Sequence, residues 1–345
     1  MAKVKMTYEE ALNEAIYQEM ERDDSVFIYG IGVPDHKKIF GTTERLLERF
    51  GKNRCMDTPL AEDGLTGFAL GSAVNGLRPI LTHIRVDFAL LSVNQLFNNI
   101  ASYRYMSGGQ LKTPIVIRVI VGRGWGQGAQ HSKSLQSMFA HVPGLKVIMP
   151  TTPNEAKGMM AAAIRDNNPV VVLEHRWLYW QEGEVEQDPF VLSLDKYNKL
   201  REGKDLTVVA TSWMNVEAIK AAEVLAKHGI EVEVINACSI SSVDMDTVGD
   251  SIDKTGRCII ADNDWVYCGF SAELAVQIYD HILHEKIIRI GFAHTPCPTV
   301  RHLENEFYPN AINIIRAVEE LFGMEEIDLS GEEFYSHENK FKGPF

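Results

Sequence analysis

Two tandem α/β domains are predicted for this chain, on three observations. Apolar runs without polar alternation recur along its 345 residues, and segments with helical periodicity separate them. That pattern belongs to parallel strands covered on both faces. A polar stretch containing EGEVEQDP and REGKD divides it into two series, and the length suits two cores of about 150 residues each.

The first series opens with a helix. Thr7 stands three residues before Glu10, a capping-box spacing, and Leu12, Ala15, Ile16 and Met20 then share one helical face. Val26-Phe27-Ile28-Tyr29 is a short strand ended by Gly30-Ile31-Gly32. Residues 63–75 form a helix of small residues, suited to close packing on a neighbour. Strands follow at 79–84 and 115–121, with a helix over 88–105 between them. Strand 147–149, helix 154–165 and strand 170–173 complete the series. The second series runs as strand 206–210, helix 216–228, strand 232–235, strand 258–261, helix 271–284, strand 287–290 and helix 311–321. The tail from 323 to 345 is polar and irregular.

Composition narrows the function classes. The hydrophobic and charged fractions, 45% and 23%, are those of an ordinary globular chain. A formal net charge of −13 argues against a phosphate-tracking nucleic-acid surface and suits a basic partner protein better. The start, MAKVKMTYEEALNEA, lacks the apolar core of a signal peptide, and no apolar run approaches the ~20 residues of a membrane span. Five scattered cysteines make no CxxC pair. The expectation is a reduced, cytoplasmic protein.

Ligands of open α/β sheets bind beyond the carboxyl ends of the strands, which directs attention to the loops at 30–43, 57–64, 85–88, 122–134 and 174–180. Glu62 opens the small-residue helix between Leu60 and Leu65. Favourable interaction with the helix dipole explains it as well as chemistry does; the functional reading is a carboxyl in partly apolar surroundings, sharing a proton with a ring nitrogen. Gly122, Gly124, Gly126 and Gly128 alternate before His131, freeing the backbone for close approach. They do not spell a dinucleotide fingerprint. His131 suits an acid or base over a pocket, though a lone loop histidine is more often simply exposed. Phe88 can present its ring to a flat heterocycle, or belong to the core. From these residues alone the reaction has no name.

Taken together, ALNEAIYQEMERDDSVFIYG, DTPLAEDGLTGFALGSAVNGLRPI, DFALLSVNQLFNNIASYRYMSGGQ, GAQHSKSLQSMFAHVPGLKVIMPTTPNEAKG and AAIRDNNPVVVLEH are similar to one family over residues 6–322. That family is the beta subunit of the thiamine-diphosphate-dependent first component of 2-oxo acid dehydrogenase complexes, which includes pyruvate, branched-chain and acetoin enzymes. The resemblance implies a transketolase-type pyrimidine-binding domain over residues 1–185, a linker over 186–204, a transketolase C-terminal domain over 205–329 and a tail over 330–345. It puts Glu62 at the N1′ atom of the cofactor's aminopyrimidine, Leu60 and Phe88 against that ring, and His131 in acyl transfer to lipoamide. It also implies a potassium ion at Ile115, Ala163, Ile164, Asp166 and Asn168, held largely through carbonyls. The resemblance implies that a separate alpha subunit holds Mg²⁺ and the diphosphate, and the sequence agrees with this in having no Gly-Asp-Gly followed some thirty residues later by Asn. Two alpha and two beta subunits, with a lipoyl acyltransferase core, are the implied partners, and pyruvate is the implied substrate.

Three places depart from the family's usual pattern. Gly30-Ile31-Gly32 lacks an acid at its second position, His83-Ile84-Arg85-Val86 precedes Asp87, and the segment Pro296-Cys297-Pro298-Thr299-Val300-Arg301-His302 stands where Pro-Tyr-Ser is more frequent. An arginine at position 85 either meets an anionic substrate or pairs with a nearby acid, and pairing is the favoured expectation. Two alternatives remain: a split transketolase moving a two-carbon ketol unit, and a non-catalytic scaffold subunit, against which Glu62, Phe88 and His131 argue together.

Overall fold

The computed structural model describes residues 2–122, 126–281 and 286–334. It divides into two compact units. One holds the described residues up to 122 together with Met138–Leu194; the other holds those from 126 to Ser137 and those from Asp195 on.

In the first unit the short apolar runs become a parallel six-stranded sheet. Its strands are β2 (Val26–Gly30), β3 (Cys55–Met56), β4 (Arg78–His83), β5 (Val116–Val121), β6 (Lys146–Ile148) and β7 (Val170–His175), in the order β3-β2-β4-β5-β7-β6. β2, β5 and β7 are buried along their whole length, so both faces are covered, as the absence of alternation predicts. The helix Tyr8–Arg22 begins at Thr7 with the expected capping box, the Thr7 N–H donating to Glu10 Oε2 at 2.9 Å. A second capping box, Thr152 with Glu155, starts the helix Pro153–Arg165. Buried Glu19 joins these helices by accepting from Arg165 Nη2 at 2.6 Å and Arg22 Nε at 2.7 Å.

β1 (Lys3–Thr7) and β8 (Glu182–Glu186) pair antiparallel outside this sheet. Both escape the apolar-run criterion, because their exposed lysines and glutamates alternate with few apolar residues.

The second unit builds a five-stranded sheet from β9 (Asn198–Arg201), β10 (Leu206–Ala210), β11 (Val232–Asn236), β12 (Cys258–Trp265) and β13 (Ile287–Phe292), in the order β13-β12-β10-β11-β9. Only β9 runs antiparallel to its neighbour. Helices Met214–Ala226 and Ala311–Phe322 close its core through Ala218, Ala222, Ile314 and Val318. The helix Met245–Thr255, capped by Asp244, had no clear signal in its polar sequence MDTVGDSIDKT.

The stretch expected to be a linker, 186–204, thus carries an edge strand. Within the first unit it is also tied down: buried Lys157 donates to the carbonyls of Glu186 and Gln187 at 2.7 and 2.8 Å. The tail is irregular as far as it is described, yet Ile327 is buried and its N–H donates to Glu319 Oε1 at 2.7 Å.

Candidate active site

Glu62 is the first residue of the helix Glu62–Val74. The N-cap is Ala61, which has no side chain to offer, and the half-buried Glu62 carboxylate makes no hydrogen bond or ion pair among the described residues. It is therefore not spent on capping. Leu60 beside it is 81% exposed, an apolar side chain with little cover among the described residues. Phe68, one face further along, is half exposed.

Phe88 lies on the short helix Val86–Ala89 that follows β4 and is partly buried. Two links bring its segment to the helix that Glu62 opens. Thr66 Oγ1 donates to the Glu62 carbonyl at 2.8 Å and stands 3.3 Å from His83 Nε2 at the end of β4. Gln95 Nε2 donates to Asp63 Oδ2 at 3.4 Å, and its amide packs 3.5 Å from where a Cβ on Gly67 would sit. The small residues of this helix do permit close packing.

Burial lowers the His83 imidazole to about pKa 4, so it is neutral at physiological pH. Arg85 takes the pairing role: its Nε lies 3.6 Å from Asp87 Oδ2, both side chains buried, and its guanidinium donates to the Gly122 carbonyl. Gly122 itself fits only as glycine. Its φ is +92°, and a Cβ there would come within 2.5 Å of His175 Nε2. Arg123, Gly124 and Trp125 of the same loop lie outside the described residues.

The oxygens expected to hold potassium are already engaged. Arg78 Nη1 donates to the carbonyls of Ile164 and Asp166, each at 2.9 Å. The Ile115 carbonyl accepts from Val170, and the Ala163 carbonyl from Asp166. The Asp166 carboxylate accepts from Lys146 Nζ at 2.7 Å and from Asn168, whose own amide oxygen accepts from Arg104. A guanidinium already satisfies the two central carbonyls, so the set does not form an open cation cage.

His131 belongs to the second unit. It ends the 3-10 turn Gly128–Gln130 and is half-buried. The segment after it is anchored by residues that the sequence reading did not single out. Gln136 Nε2 donates to Asp262 Oδ1 at 2.9 Å, Ser137 Oγ to Asp264 Oδ2 at 2.8 Å, and Asn263 Nδ2 to Ser134 Oγ at 3.2 Å. The signal was present: Asp262-Asn263-Asp264 are three polar residues at the end of the apolar run Cys258-Ile259-Ile260-Ala261. A cavity of about 540 Å³ borders this segment, walled by Gln130, Ser132, Trp265, Tyr267, His294 and Cys297. The departure at 296–298 therefore lies beside the neighbours of His131.

Burial, and then the charge of Asp262, push the Asp264 carboxyl up to about 8; burial also raises Asp262. In the unfolded chain Asp264 ionises near 3.8. Its contribution to stability is thus full below about 3.8 and is lost as pH rises through about 8, because the folded state holds the proton longer. Thermal melts from pH 5 to 9 should show the midpoint falling towards alkaline pH. Asp264→Asn should flatten that slope and raise the midpoint at pH 8.5 by a few degrees; an unchanged slope would show that Asp264 does not carry it.

A family model described as the transketolase pyrimidine binding domain matches residues 4–181, and one described as the transketolase C-terminal domain matches 195–314. The beta subunit of acetoin:2,6-dichlorophenolindophenol oxidoreductase from Cupriavidus necator is 39% identical over 326 residues, covering 91% of this chain and 96% of that protein. The chain belongs to this beta-subunit family. Pyruvate dehydrogenase E1 component subunit beta-2 of Oryza sativa subsp. japonica, a mitochondrial member, is 39% identical over 319 residues, covering 90% of this chain and 85% of its own length. The corresponding subunit of Rhizobium meliloti is 39% identical over 318 residues, with coverages of 91% and 69%. A split-gene transketolase, solved as an inactive beta4 tetramer, superposes with a TM-score of 0.75 at 20% identity, covering 93% of this chain and 99% of that one. At that identity it supports the tandem α/β fold. The family places the chain among subunits of thiamine-diphosphate-dependent oxidoreductases, in preference to the ketol-transfer alternative.

Proposed function

We propose that this chain is the beta half of a 2-oxo acid dehydrogenase that decarboxylates pyruvate and passes the acyl group to lipoamide. It does so with an alpha subunit, in a two-alpha, two-beta assembly docked on a lipoyl acyltransferase core. The observation that carries the reading is Glu62: a half-buried carboxylate at a helix start, with no hydrogen-bond or ion-pair partner among the described residues, next to the exposed Leu60. A carboxyl in that state is able to hold a proton at N1′ of an aminopyrimidine, while Leu60 and the Phe88 ring cover an apolar heterocycle and exclude water. When bound, thiamine diphosphate supplies the electron sink for decarboxylation, with Mg²⁺ and the diphosphate held by the alpha subunit. His131 donates a proton to a dithiolane sulfur during acyl transfer.

The test is co-expression with an alpha-type subunit, addition of thiamine diphosphate and Mg²⁺, and dye reduction with pyruvate, longer 2-oxo acids and acetoin. Reduction that requires both chains is the expected result. A stable pair that ignores every one of these substrates would overturn the reading, and sugar phosphates would then test ketol transfer.

A further inference from the structure

The segment that carries His131 is held on both sides of that residue within the second unit. Before it, Gly128 has φ +65°, and a Cβ there would lie 2.8 Å from Thr299 Cγ2. After it, the hydroxyl of Tyr308 donates to the Ser132 carbonyl at 3.2 Å, one residue from the imidazole. The bonds to Asn263, Asp262 and Asp264 act further along the segment, at Ser134, Gln136 and Ser137.

Tyr308 is itself rigidly placed. It ends the helix Arg301–Phe307, and its ring meets Phe307 and Phe292 edge-on with centroids 4.9 and 5.1 Å apart. Phe292 and Phe307 are buried, so the ring cannot swing without disturbing them. The hydroxyl therefore sits at a fixed point, and the peptide unit that follows His131 must meet it there.

We propose that Tyr308 is a positioning residue for His131, fixing the backbone through the Ser132 carbonyl so that the imidazole keeps one orientation during acyl transfer. This rests on the proposed proton-donor role of His131. Small displacements of a catalytic group cost rate steeply, so losing one hydroxyl should be felt in the acyl-transfer step alone.

The reconstituted assembly is assayed in two ways, by dye reduction, which reports decarboxylation, and by reductive acylation of free lipoamide. His131→Asn serves as the reference and Tyr308→Phe as the test. The quantity read is the ratio of acylation to dye reduction, in which any loss of folded assembly cancels. Tyr308→Phe is expected to lower this ratio about tenfold, leaving the KM for pyruvate unchanged. In the isolated chain the imidazole NMR signal of His131, assigned by its absence in His131→Asn, is expected to shift in Tyr308→Phe. If His131→Asn lowers the ratio and Tyr308→Phe does not, or if the His131 signal stays in place, the positioning role is overturned. If His131→Asn leaves the ratio untouched, the proton-donor reading fails, and the role of Tyr308 falls with it.

Discussion

Glu62→Gln should reduce the decarboxylation rate of the reconstituted assembly by about a hundredfold or more, with the thermal midpoint of this chain unchanged. Glutamine keeps the volume and the helix-start position but cannot hold and release a proton. The structure makes the stability half of this expectation sharp. The Glu62 carboxylate has no hydrogen-bond or ion-pair partner among the described residues, so removing its charge breaks no contact there. The helix is held instead by Thr66, by Gln95 against Gly67 and by the burial of Ala69 and Ala73. Dye reduction and a melting curve on the same preparation check both halves. Unchanged activity would make the catalytic assignment untenable and revive the scaffold reading.

Arg118→Met should be the most destabilising single change in the first unit, by about 3–5 kcal/mol, the cost of leaving a buried charge without its partner. Arg118 on β5 and Glu174 on β7 are both fully buried and paired through two hydrogen bonds, 2.6 Å from Nε to Oε1 and 2.8 Å from Nη2 to Oε2. The Tyr179 hydroxyl adds a third bond to Glu174, at 2.9 Å. Burial alone would lower the pKa of Arg118, but the Glu174 carboxylate more than offsets this and raises it. Removing the guanidinium strands that carboxylate between Tyr8 and Tyr179, whose hydroxyls burial already holds in the neutral form. Urea unfolding of the isolated chain would show the loss as a lower midpoint. The double variant Arg118→Met, Glu174→Leu should recover most of it, since an apolar pair of similar volume needs no compensation. A single variant as stable as the parent would show that this buried ion pair does not hold the fold.

Legibility in the sequence followed the range of the interaction. Apolar runs placed β5, β7 and β10 within a residue or two, and the spacing of Thr7 and Glu10 placed the first helix start, because burial of a strand and capping of a helix are decided by residues a few positions apart. Glu62 was legible for the same reason: it opens a helix whose small residues declare themselves. Polar edge strands β1 and β8 were missed because pairing across about 180 residues leaves little local trace, and β9 because its polar sequence Asn198–Arg201 carries no apolar run.

What the sequence determined by itself, then, is the alternation of strands and helices, the two-domain plan, the family and the residues that start each loop. Only the tertiary structure decided that Arg78 would fill the two central carbonyls of the expected cation set, that Arg85 would be consumed by Asp87 and Gly122, and that residues 126–137 would join the second unit through Asp262, Asp264 and Tyr308. These outcomes turn on desolvation and charge pairing between groups 37 to 176 positions apart, except for the Arg85–Asp87 pair. There the two residues are neighbours in the chain, and it is burial by the rest of the fold that makes the pairing necessary.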